Sequence, residues 1–72
     1  MTVKELIEIL REENPESLVV LSKDAEGNSY RILAETESGQ FLPDHYGASF
    51  GDYYDNLEYV QYAVKAVFLW PR

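Results

Sequence analysis

This chain has 72 residues, with 13 Asp and Glu against 6 Lys and Arg, and so a net charge of −7. That balance argues against direct DNA or RNA binding, whose affinity comes from Lys and Arg neutralising phosphates. No cysteine means no disulfide and no thiolate metal site, a single histidine cannot build a multi-histidine one, and no apolar run approaches the roughly 20 residues that span a bilayer.

One domain over residues 1–72 is expected, with a thin core, because a chain this short buries only about 60% of its unfolded surface. Thr2 followed three residues later by Glu5 forms a capping box. Val3, Leu6, Ile7 and Leu10 then recur at i, i+3, i+4 and i+7, which predicts an amphipathic helix over about residues 3–13, stopped by Asn14-Pro15. Leu18-Val19-Val20-Leu21 is a continuous apolar run and reads as a strand buried on both faces. Asp24-Ala25-Glu26-Gly27-Asn28-Ser29 is turn chemistry, and Tyr30 to Ala34 returns as a second strand, so residues 18–34 are expected to form a hairpin.

Glu35 to Gly39 reads as another turn, and Phe41-Leu42 as a strand stub before Pro43. Residues 43–56, with Pro43, Gly47, Gly51 and Asn56, read as a long loop, with one helical turn near Tyr53 to Tyr59. Tyr62 to Trp70, ended by Pro71, is the last strand; Val64, Ala66 and Phe68 face one way, and Lys65, Val67 and Leu69 the other. The predicted fold is α+β: one N-terminal helix packed on a three- to four-stranded antiparallel sheet, with a long acidic, Tyr-rich loop before the last strand. Val3, Leu6, Ile7 and Leu10 would meet Val19, Leu21, Ile32, Val64 and Phe68. Phe68-Leu69-Trp70-Pro71 is read as core closure in preference to a docking tip, since large aromatics mostly end up buried.

Functionally the most informative feature is the interval between Arg31 and Lys65, which holds no Lys or Arg. It carries Glu35, Glu37, Asp44, Asp52, Asp55 and Glu58 among Tyr46, Phe50, Tyr53, Tyr54, Tyr59 and Tyr62. Tyrosine is enriched in protein–protein contacts, and carboxylates steer basic partners. The expected partner-binding residues are Tyr46, Asp52, Tyr53, Tyr54, Asp55, Glu58 and Tyr59, with the Tyr53-Tyr54 pair as anchors, because consecutive residues of an extended loop cannot both point inward. Roughly half of the six rings are expected to lid the core and half to stay exposed, since a core this size cannot cover them all.

The chemical alternatives are weaker. Asp24-x-Glu26-Gly27-Asn28 has glycine fourth where a calcium loop needs it sixth, so a hairpin turn is the reading. Asp44-His45 with Ser49 nearby lacks a motif that presents a nucleophile, and reads as a solvated loop. The loop acids would need a concave pocket to serve as general acid and base or to hold a metal. No enzyme, cofactor or metal is therefore expected.

The chain resembles a group of small uncharacterised phage and prophage proteins. The likeness lies in Thr2-Val3-Lys4-Glu5-Leu6-Ile7, in Ser22 to Tyr30 (SKDAEGNSY), and in Ala63 to Pro71 (AVKAVFLWP), at both ends and in the expected hairpin. Between the last two, related-looking sequences carry an acidic insert of variable length, which Glu35 to Tyr62 fills here. The resemblance implies origin more than activity: an accessory factor in the host cytoplasm that binds and blocks a host or phage protein, some of this class being anti-restriction or anti-CRISPR inhibitors that mimic DNA. The N-terminus, acidic and amphipathic, fits an unprocessed intracellular protein without a membrane segment. The alternative is a self-assembling structural module, a homodimer through its edge strand and Tyr-rich loop.

Overall fold

The structure, a computed structural model, describes residues 1–22 and 30–72. The turn and calcium-loop readings of residues 24–29 lie outside the described residues. Helix α1 spans Val3–Arg11. Its capping box closes in both directions: Thr2 Oγ1 accepts from the Glu5 N–H at 3.2 Å, and Glu5 Oε1 accepts from the Thr2 N–H at 2.9 Å. Those bonds from Thr2 hold the Glu5 carboxyl below its ordinary range. The helix ends two residues before the expected boundary. There Glu12 and Glu13 donate back to Ile9 and Leu10 in tighter turns, and Asn14 Oδ1 accepts from the Glu16 N–H around Pro15.

Four strands follow: β1 Leu18–Leu21, β2 Leu33–Pro43, β3 Gly51–Tyr54 and β4 Val64–Pro71. They form one sheet in the order β1-β4-β2-β3. The expected α+β architecture, one N-terminal helix on a four-stranded sheet, is what the chain adopts. The sheet is mixed, however, and not antiparallel: β1 pairs parallel to β4, while β2 runs antiparallel to both β4 and β3.

This corrects the expected 18–34 hairpin. The cause is β4, the longest apolar strand, which takes the centre and pairs along both edges, so β1 and β2 are separated by it. The presumed turn Glu35 to Gly39 is β2 strand, with Glu35 opposite Trp70, Glu37 opposite Phe68 and Gly39 opposite Ala66. A register shift between Leu33 and Glu35 absorbs the misfit. The strand stub at Phe41-Leu42 is the end of the same long strand. Part of the expected 43–56 loop, and of its helical turn, is instead strand β3.

Side chains alternate across the sheet, and this alternation splits the expected core in two. Ser38 donates to Glu13 Oε2 at 2.7 Å and the Met1 ammonium donates to the Leu33 carbonyl at 3.0 Å, placing α1 on the face of Ser38, Val67 and Val19. Phe41, Ala66 and Phe68 are buried on the opposite face, with Val20 and Trp70 packed against them. Phe68 and Val64 thus do not meet the helix, and Val3 and Ile7 stay 76% and 48% exposed. Val67, only 2% exposed, is the buried residue of the helix face. Nor is Leu18 to Leu21 a doubly buried strand: Leu18, Val19 and Leu21 are 48%, 61% and 63% exposed, because β1 lies at the sheet edge. Among the described residues, no helix is long and apolar enough to cross a membrane.

Candidate interaction surface

The acidic, aromatic residues leave the sheet in two connections at one end. The first joins Pro43 to Gly51, which pair across β2 and β3; the second runs from Tyr54 to Val64, which pairs with Phe41. In the first, Asp44 donates its N–H to the Phe50 carbonyl at 3.1 Å and Ala48 donates to the His45 carbonyl at 2.9 Å. Gly47 supplies the left-handed backbone, φ 79°, that this tight return needs. The His45 ring rests edge-on against Phe50, with centroids 5.7 Å apart. Tyr46 stands fully exposed and Phe50 largely so.

The second connection is pinned by one side chain. Gln40, projecting from β2, donates through Nε2 to the carbonyls of both Asp55 and Glu58. Asp55 Oδ1 accepts from the Leu57 N–H at 2.8 Å, a side-chain-closed turn. Tyr62 adopts φ 69°, a left-handed conformation uncommon for a bulky residue. This backbone presents Leu57, Tyr59 and Tyr62 outward, 93%, 91% and 82% exposed. Beneath it lies an open cleft of about 490 Å³, lined by Gln40, Leu57, Tyr59, Val60, Ala63 and Lys65.

Tyr53 and Tyr54 behave differently from the expected loop anchors. They are consecutive on a strand and so point to opposite faces. The Tyr53 ring crosses Gly39 and packs edge-on against Phe68 and Trp70, with centroids 4.6 Å and 6.1 Å away. Its hydroxyl donates to the Glu37 carboxylate. Tyr54 is half-buried. Both rings pack on the sheet and hold β3 to it, Tyr53 with 36% of its surface still exposed, while Tyr46, Asp52, Asp55, Glu58 and Tyr59 of the expected set are exposed without such packing. Phe50, Leu57 and Tyr62 on the same two connections are exposed as well. Asp55-Asn56-Leu57, an Asx turn that throws the apolar residue outward, is the sequence signal that would have flagged Leu57.

The Tyr53–Glu37 bond has a spectroscopic consequence. Hydrogen bonding to Glu37, with smaller contributions from desolvation and from the negative charge of Glu37 and Asp55, pushes the Tyr53 phenol up to about 12. Its folded value lies above the ordinary 10.0, so this bond's stabilisation is intact below that value and is lost as the pH rises towards about 12. A tyrosinate absorbance titration is expected to show a late step that Tyr53→Phe deletes. A titration indistinguishable between the two proteins would mean that this bond does not form.

Among the described residues no three His, Asp or Glu side chains converge as a metal site requires. Compared with protein-family models, curated proteins and solved structures, the chain matches none.

Proposed function

We propose that this chain is a non-enzymatic phage accessory protein of the host cytoplasm that binds a host or phage protein with a basic surface and inhibits it by occlusion. The observation that carries the reading is the exposure of Tyr46, Leu57, Tyr59 and Tyr62 on the two connections, among the exposed carboxylates Asp52, Asp55 and Glu58. Large apolar and aromatic side chains left in water cluster where partners bind, and rigid tyrosines make strong contacts at low entropic cost. The carboxylates supply steering and salt sensitivity more than affinity. In this reading Tyr53 and Tyr54 are props for the connections that carry the contacts. The phage origin, and with it inhibition of a host defence such as restriction or CRISPR interference, rests on the resemblance in the helix, the 22–30 segment and the last strand. DNA mimicry finds less support, because Lys65 sits in the cleft of the same surface.

The test is an affinity capture from host lysate at low and high salt, with wild type and with Leu57→Ala combined with Tyr59→Ala. The expected result is a stoichiometric basic partner, lost at high salt and weakened about 30-fold or more by the double substitution, as loss of hot-spot contacts worth about 2 kcal/mol requires. Both residues are so exposed that the fold should be unaffected. The reading fails if no partner is retained, or if retention ignores both salt and substitution.

A further inference from the structure

We infer that the free edge of β1 is a self-association surface, on which a second copy of this chain adds its own β1 antiparallel about a twofold axis. This goes beyond the partner surface above and uses none of its residues, so either can fail alone. The sequence reading joined edge strand and Tyr-rich loop in one dimer contact. The sheet order puts β1 and β3 at opposite edges, and the connection from Tyr54 crosses Gln40 of β2 to reach β4, leaving the outer edge of β1 to itself.

The edge is open in a specific way. Ser22 donates its N–H to the Leu69 carbonyl of β4, so on β1 the even-numbered residues turn their backbone groups inward. By alternation Val19 and Leu21 turn theirs outward, where no strand pairs with them among the described residues. A short edge strand in a monomer is ordinarily blunted by charge, proline or a bulge. Leu18-Val19-Val20-Leu21 has none of these, and three of its four side chains are about half exposed or more.

A second copy fits this edge better than an arbitrary strand for three reasons. First, the segment is self-complementary. With Val20 on the twofold axis, Val19 of one copy lies opposite Leu21 of the other, the outward N–H and C=O groups bond pairwise, and equivalent faces of both sheets coincide. Every position of the four then meets an apolar or small residue, and α1 adds exposed Val3 and Ile7 from both copies to one face. Second, the charge distribution permits it. A net charge of −7 opposes most self-contacts, but Leu18 to Leu21 carry no charge themselves, and Asp52 on β3 goes to the far rims of an eight-stranded sheet. Seven strand spacings put them about 34 Å apart, against a screening length of about 8 Å. Third, apolar surface is left uncovered on this side: Leu18, Val19 and Leu21 of β1 and Val3 and Ile7 of α1 are 48%, 61%, 63%, 76% and 48% exposed.

Light scattering at micromolar concentration is expected to give the mass of a dimer. Val19→Pro removes an outward donor without touching the β1–β4 ladder, and is expected to give a monomer with unchanged circular dichroism. Should that variant misfold, Leu21→Lys on the same exposed edge is expected to give the monomer instead. The chain has no native cysteine, so Val20→Cys places one thiol on the proposed axis, and mild oxidation is expected to yield a covalent dimer. A monomeric wild type overturns the inference. So does a dimer that survives the folded edge variant, or one that Val20→Cys fails to crosslink, since such a dimer uses another surface.

Discussion

Phe68→Ala is expected to leave this protein barely folded at room temperature. Phe68 is 3% exposed and is the residue that Phe41, Ala66, Val20, Tyr53 and Trp70 share. Truncating a buried phenylalanine costs about 3–5 kcal/mol, from lost transfer energy and the cavity left behind. A domain of this length has a total stability of about 4–11 kcal/mol at ordinary values per residue, and among the described residues its buried apolar side chains are Phe41, Ala66, Val67 and Phe68. The loss is therefore comparable with the whole. Urea unfolding followed by Trp70 fluorescence should show the midpoint collapse towards zero denaturant, whereas Leu57→Ala should leave it within about 0.5 kcal/mol of wild type. Equal midpoints for the two variants would mean that the aromatic face is not the core.

The helix and the last strand were legible because each declares itself locally. Thr2 and Glu5 need only one another to cap α1, and Val64 to Trp70 carries strand chemistry along its whole length. The topology was hidden because it is decided by competition between distant segments. Leu18 to Leu21 reads as a central strand, yet β4 has more apolar surface and takes the centre, leaving β1 at the edge. Glu35 to Gly39 lacks strand propensity. It is strand because β4 offers it a partner, a tertiary override of weak local preference.

The same distinction holds for the candidate surface. Its composition was readable from the cation-free interval, and a core this small leaves more rings exposed than the even split expected: only Tyr53 and Tyr54 of the tyrosines pack on the sheet. Which tyrosine goes where was not. Tyr53 and Tyr54 were expected in a loop, but Gly51 to Tyr54 pairs with Gln40 to Pro43, and strand alternation then assigns each ring a face. Tyr53 turns inward because Gly39, with no side chain, leaves room above β2 for its ring. The exposed anchors are set by equally non-local bonds: Gln40, fifteen or more residues away, fixes the connection that displays Leu57 and Tyr59.

Gly39→Ala tests that arrangement at its hinge. A Cβ at this position would lie 2.5 Å from Tyr53 Cε2, 2.8 Å from the Tyr54 carbonyl oxygen and 3.2 Å from Phe68 Cε2. The ring contact could be relieved by swinging Tyr53 outward, at the expense of its bond to Glu37 and its packing on Phe68 and Trp70. The carbonyl is backbone, so relieving that contact requires β3 to shift from β2. Overpacking of this kind costs about 1–3 kcal/mol, more than the 0.4–1 kcal/mol an alanine gains by restricting the unfolded chain. The expected outcome is a net loss of stability, a change in Trp70 emission, and disappearance of the late tyrosinate step as Tyr53 leaves Glu37. The β1–β4 half should be unaffected, since neither strand approaches Gly39 except through Ala66 and Phe68. If Gly39→Ala instead keeps both the late step and the unfolding midpoint, Tyr53 does not lie across Gly39. Its ring would then reach Glu37 by another path, and its packing on Phe68 and Trp70 would not depend on the bare backbone of Gly39.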